Sequence, residues 1–165
     1  MVGPRAPGAG CLIPAAAIVG VARGRAGGEC VTTRLWLMKS EPESFGWNDL
    51  VADGETTWDG VRNHRAANNL RAMEVGDQAF FYHSVTGKEI VGIAVVSEAG
   101  LPDPKDAKWA AVKVKPVRAL ERAVTLKEIK ADPALAEMEL VRLSRLSVAE
   151  VRPAEWDRIC ALARG

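Results

Sequence analysis

QAFFYHSVTGKEIVGIAVVSE, residues 78–98, reads as two strands joined by a turn. Gln78 to Ser84 is rich in aromatics, and Glu89 to Glu98 carries Ile90, Val91, Ile93, Val95 and Val96. Both compositions suit a pleated, half-buried surface, and Thr86-Gly87-Lys88 between them is hairpin-turn chemistry. A hairpin makes its two strands antiparallel, so this stretch predicts a sheet built by turns rather than by long helical crossovers.

Working outward toward the N-terminus, Arg34 to Ser40 (RLWLMKS) reads as a strand covered on both faces, because Trp36, Leu37 and Met38 are apolar in succession. Pro42 ends it. A short helix is expected from Phe45 to Ala52, with Ser44 as N-cap and Gly54 as its stop. Thr56 to Trp58 reads as a short extended piece and Asp59-Gly60 as a turn. His64 to Met73 has a helical stripe of Ala66, Ala67, Leu70 and Met73.

Toward the C-terminus, Leu101 to Lys108 reads as a proline-containing loop. Trp109 to Val117 alternates, with Val112 and Val114 inward and Lys113 and Lys115 on the solvated face. Thr125 and Glu128 form a capping box, and Asp132-Pro133 is a second helix start. Leu143 to Val148 reads as a strand. Pro153 to Ala163 closes the chain as an amphipathic helix facing inward with Trp156, Ile159 and Leu162. Five or six strands among short helices predict the α+β class: a small, strongly bent sheet or β-barrel with helices at its rim.

The chain has 165 residues, enough for one domain with a proper core. Net charge is +1, from 22 basic and 21 acidic residues, which excludes a general cationic coat for nucleic acid or membrane. That balance predicts few phosphate contacts and a shallow salt dependence. Residues 1–33 differ from the rest: seven glycines, three prolines and no aromatic. They read as a flexible leader, or as the product of a start codon set too far upstream, with the domain proper at 34–165. Without the leader the count is 19 basic against 20 acidic, or −1. Three scattered cysteines (Cys11, Cys30, Cys160) and two histidines give neither a disulfide framework nor a metal site. A cytoplasmic setting, no membrane association, a monomer and no cofactor are expected. Phosphate-loop, dinucleotide-fold, zincin and zinc-deaminase motifs are all absent from the sequence.

Three segments hold polar residues that neither core nor solvated face requires: Lys39-Ser40-Glu41, Trp58-Asp59-Gly60-Val61-Arg62-Asn63, and Tyr82-His83-Ser84. Together they offer aromatic faces, a planar cation, an amide and small hydroxyls. Flat heterocycles are held by such sets, through stacking and bidentate edge contacts. Each residue also has a plainer reading. Trp58 suits the core, Arg62 a surface cation, and Asn63 the cap of the helix that follows.

In these motifs the sequence resembles the EVE-domain family. The resemblance rests on Trp36 to Pro42, Trp58 to Asn63 with Ala67-Asn68-Asn69 and Met73, Gly76-Asp77, Phe81 to Ser84, Arg145 to Val148, and Trp156. It spans about 34–163. It implies a PUA-like fold, related to the YTH and ASCH domains. It also implies a non-catalytic nucleic-acid-binding domain that accepts a modified base of DNA or RNA. The implied pocket is Lys39, Ser40, Glu41, Trp58, Asp59, Gly60, Val61, Arg62, Asn63, Tyr82, His83, Ser84 and Ser147. The ASCH relation leaves an RNA-acting hydrolase as the alternative, with His83 or His64 as general base and Lys39 stabilising negative charge. A binder of a free nucleoside-like molecule is the third reading.

Overall fold

The structure, a computed structural model, describes residues 33–165. The leader reading of residues 1–33 thus falls, but for Thr33, outside the described residues, as do Cys11 and Cys30. Six strands form one sheet: β1 (Leu35–Ser40), β2 (Thr56–Trp58), β3 (Gln78–His83), β4 (Glu89–Pro102), β5 (Ala110–Thr125) and β6 (Val148–Glu150), in the order β2-β5-β4-β3-β1-β6. The helices are α1 (Trp47–Asp53), α2 (His64–Ala72), α3 (Leu126–Ala131), α4 (Glu139–Arg142) and α5 (Pro153–Ala163), with a 3₁₀ turn at Pro133–Leu135. The fold is the expected α+β class, a mixed sheet curled into a half-barrel with short helices against it.

The hairpin stands as read. β3 and β4 are antiparallel, and the turn places Val85, Gly87 and Lys88 at φ 66°, 85° and 50°. Phe81 faces Gly92 while Tyr82 faces Ile90, so Val91 is an extra residue in β4. Such bulges bend a strand and increase its twist. Four more register shifts follow between β4 and β5, one beside Pro116, where a missing N–H is tolerated. Both strands therefore run on past their read ends at Glu98 and Val117, and their bends curl the sheet.

The sheet is not all turn-built. β1 pairs with β3 in parallel, and the connection between them holds α1, β2 and α2. β1 is a central strand, which accounts for its three consecutive buried residues, Trp36, Leu37 and Met38. The expected strand at Leu143 to Val148 is a second correction. Leu143–Ser147 is a turn closed by Leu146 N–H donating to Leu143 O at 2.9 Å, and only Val148–Glu150 finds the free edge of β1. Ser44 is not the cap of α1. That place belongs to Gly46, whose N–H donates to Asp49 Oδ2 at 2.7 Å.

Phe81 lies between Trp47 and Trp58, each meeting it edge-on at 5.6 Å between centroids. Phe80 stacks on Trp156 at 3.8 Å. Gly92 makes room for Trp47, since a Cβ there would come within 2.5 Å of the indole. Asp77 is buried and accepts from Arg34 N–H, Trp36 Nε1–H and Glu74 N–H, each at 3.0 Å. The Gly76-Asp77 pair thus ties the start of β1 to the start of β3. No helix of the described residues is long and apolar enough to cross a membrane.

The capping box at α3 forms as read and has a pH consequence. Glu128 accepts Thr125 N–H at 2.9 Å and Arg122 at 2.6 Å. The Thr125 amide first, and the Arg122 guanidinium next, push its carboxyl down to about 2. Asp132, bonded to Arg158 at 2.5 Å, is lowered as well. A carboxyl depressed in the folded state stabilises above its unfolded pKa, roughly 4, and the contribution fades as pH falls toward the folded value. Urea midpoints are therefore expected to hold steady above about pH 5 and to drop between about pH 4 and 2. Glu128→Gln will flatten that drop, and an unchanged acid limb in the variant would reject the assignment.

Candidate functional site

Where the C-terminal ends of β1 and β2 meet the N-terminus of α2, the surface opens into a cleft of about 670 Å³. Pro42 ends β1, and Glu41 O accepts from Ser44 N–H at 3.0 Å and Phe45 N–H at 2.8 Å. That turn brings Phe45 back over the strand end, where Ser40 Oγ donates to Phe45 O at 2.6 Å. On the other side β2 ends at Trp58 and the chain turns through Gly60, whose φ of 75° favours glycine. The chain then enters α2, capped by Asn63, whose Oδ1 accepts from Ala66 N–H at 3.1 Å.

Ten of the thirteen residues singled out in the sequence line this cleft: Lys39, Ser40, Glu41, Trp58, Asp59, Gly60, Val61, Arg62, Asn63 and Ser147. Ser147 reaches it because its carbonyl accepts from Lys39 N–H at 2.9 Å, at the edge of β1. Tyr82, His83 and Ser84 do not line it. Tyr82 is buried at the end of β3, with Lys39 Nζ 5.9 Å from its ring centroid. Ser84 N–H donates to Ser40 O at 2.8 Å. His83 Nε2 accepts Trp47 N–H at 3.1 Å and so holds the first turn of α1. Burial keeps its imidazole below its ordinary range, in the neutral form that an acceptor nitrogen requires. The other candidate base, His64, is exposed and lies against Trp109, 5.0 Å between centroids.

The electrostatic centre of the cleft is Arg62. Its guanidinium donates to Asp103 Oδ2 at 2.7 Å and lies 5.7 Å from the Trp109 ring centroid. The same Asp103 oxygen accepts Gly60 N–H at 2.8 Å, and Oδ1 accepts Lys105 N–H at 2.8 Å. With its side chain fully enclosed and three donors on it, Asp103 is held well below the usual carboxylate range, the Arg62 bond contributing most. Arg62 itself keeps 42% of its side chain exposed. One face is thus fixed while the rest remains open to a ligand. Lys39 Nζ donates to Ser144 O at 2.7 Å, and burial lowers its ammonium pKa.

Sequence reasoning did not find Asp103, nor Ser44, Phe45, Thr56 and Thr57, which also line the cleft. Asp103 sits in a loop between two prolines, 41 residues from Arg62, and no local pattern announces that reach. Phe45 and Trp58 give the cleft apolar wall, while hydroxyls, carboxylates and one anchored guanidinium offer directed polar contacts. Among the described residues no group of three or more His, Cys, Asp or Glu is placed to hold a metal ion.

Residues 34–162 match the family model of the EVE domain. The chain belongs to the EVE-domain family. This EVE domain is 37% identical to mouse thymocyte nuclear protein 1 over 79% of this chain and 74% of the mouse protein. Among solved structures it is similar to Rpa0253 from Rhodopseudomonas palustris, at 45% identity and a TM-score of 0.77, covering 80% of this chain and 94% of that one. It is also similar to human THYN1 protein solved in complex with 5-methylcytosine-containing DNA, at 32% identity and a TM-score of 0.74, covering 81% of this chain and 99% of the human one.

Proposed function

We propose that this EVE domain, residues 34–165, is a non-catalytic nucleic-acid reader that takes one modified base into the cleft. The observation that carries the reading is that the anchored Arg62 and Trp58 line one cleft of about 670 Å³, a size that suits a flat heterocycle with its sugar. The human relative's complex with 5-methylcytosine DNA supports a methylated cytosine as the first base to try.

Each wall of the cleft has a role in this reading. The half-buried Phe45 contacts the ring, with the buried Trp58 behind it as apolar wall, and stacking of a base on an aromatic is worth roughly 1–3 kcal/mol. Glu41 and Asp59 accept from an exocyclic amino group, and Arg62 donates to ring or phosphate oxygens. A methyl group seated against the apolar wall adds about 1–3 kcal/mol of discrimination. His83 takes no part, because its acceptor nitrogen holds α1.

Fluorescence anisotropy tests this. The probes are single- and double-stranded oligonucleotides carrying cytosine, 5-methylcytosine, 5-hydroxymethylcytosine, adenine or N6-methyladenine, at two salt concentrations. One modified base is expected to bind about tenfold or more above its parent at both salts. Arg62→Ala is expected to weaken that binding about tenfold and to lower the melting temperature while leaving the domain folded, because the enclosed Asp103 loses its strongest partner but keeps two backbone donors. Equal, salt-sensitive binding to every probe would defeat the reading. Free nucleosides binding as tightly as oligonucleotides would replace it with a small-molecule site.

A further inference from the structure

A second hollow of about 330 Å³ adjoins the cleft, lined by Asn63, Arg65, Arg142, Ser144, Arg145 and leucines of the same turn. Asn63 lines both hollows, and the Ser144 carbonyl that borders this one accepts the ammonium of Lys39, which borders the other. Three arginines thus line, together with Leu143 and Leu146, a space one side chain away from the place assigned to the base. Leu143–Ser147 stays out of the sheet, so this arginine-bearing turn is free to stand at the rim.

The three arginines are available to a ligand. Arg145 has no hydrogen-bond or ion-pair partner among the described residues. Arg142 pairs with Glu137 at 3.2 Å, with side chains 65% and 69% exposed. Arg65 pairs with Glu139, and the Arg65 side chain is 60% exposed. The Arg142–Glu137 pair, exposed on both sides, contributes little, so an anion with several oxygens displaces it readily, while Arg65 keeps further donors beside its bond to Glu139, which is 26% exposed. Guanidinium forks match phosphate oxygens in pairs.

We propose that this hollow seats the nucleic-acid backbone: a phosphodiester next to the base in the cleft binds among Arg65, Arg142 and Arg145. The inference rests on the base-binding reading above. It also departs from the expectation of a shallow salt dependence, because a whole-chain sum of +1 conceals three cations gathered at one rim. The cleft then supplies base discrimination, and the arginine hollow supplies salt-dependent affinity.

The test uses the full chain and a labelled duplex carrying one 5-methylcytosine, with the unmethylated duplex beside it. Affinities are measured from about 50 to 200 mM salt for wild type, Arg145→Ala, Arg142→Ala/Arg145→Ala and Lys130→Ala, an exposed cation on α3 as control. Each lost phosphate contact is expected to reduce the slope of log K against log salt by about 0.9, or about 3- to 4-fold in the affinity lost over that range. The methylated-to-unmethylated ratio is expected to stay as in wild type, and Lys130→Ala to change neither quantity. An unaltered slope in the double variant, with the methyl preference intact, overturns the phosphate seat and leaves the base reading standing. A reduced slope with no methyl preference in wild type does the reverse. No duplex binding by wild type rejects the backbone seat and leaves the base reading to the single-stranded probes. If the double variant weakens 5-methyl-dCMP more than the duplex, the hollow holds a free nucleotide's phosphate and the backbone assignment fails.

Discussion

Phe81→Ala will lower the unfolding free energy by about 3–5 kcal/mol, the range for deleting a buried aromatic ring. Phe81 is 1% exposed and meets three rings: Trp47, Trp58 and His83, each at 5.6 Å between centroids. Removing it leaves a hole that these neighbours fill only by leaving their own sites. Trp47 is already confined by Gly92, and His83 by its bond to the Trp47 amide. The loss extends to function, because Trp58 belongs to the core on one side and the cleft on the other. A urea titration with tryptophan fluorescence measures the stability change. A loss under about 1.5 kcal/mol, the level of a tolerated volume-conserving swap, would contradict the packing described.

Asp103→Asn will reduce binding of the preferred modified oligonucleotide about tenfold, the loss expected of one edge contact. Aspartate offers two acceptor oxygens, and the structure uses both: one takes Gly60 N–H and Arg62, the other Lys105 N–H. Asparagine keeps one acceptor and presents an NH₂ where a donor now bonds. Either Arg62 or a backbone amide then loses its partner. Asp103 is a positioning residue, so the informative readout is coupling. Asp103→Asn added to Arg62→Ala is expected to cause no further loss, since both remove the same oriented guanidinium. Additive losses from the two changes would mean that Asp103 does not act through Arg62.

Local chemistry was legible in the sequence. The 78–98 hairpin announced itself by aromatic and β-branched runs around a glycine turn, α2 by its four-residue apolar stripe, and α3 by a reciprocal cap. Ten site residues could be picked out because a strand end rich in polar groups has little structural reason to be so. What stayed hidden depends on distance along the chain. The parallel pairing of β1 with β3 is set by a crossover rather than by either strand's pattern. The bulges that lengthen β4 and β5 follow from sheet curvature. Leu143 to Val148 read as a strand, but its apolar residues fall at 143, 146 and 148 without a two-residue period, and the free edge of β1 accepts only Val148–Glu150. Asp103 joins the site through a tertiary contact that no local spacing encodes, whereas Phe45 is brought there by the local turn after β1. Tyr82, His83 and Ser84, next in chain to the hairpin turn, looked equally functional, yet they support the wall of the cleft from outside it.

The central claim is that a base enters the cleft, and an amide-correlation NMR titration of the full chain with a 5-methylcytosine duplex tests it most directly. The account predicts saturable shifts at the Trp58 indole N–H, at the amides of Ser40, Gly60, Arg62 and Ser147, and at the Arg62 side chain, with smaller shifts for the unmethylated duplex. Saturable binding that moves other residues and leaves the Trp58, Gly60 and Arg62 signals in place would contradict it.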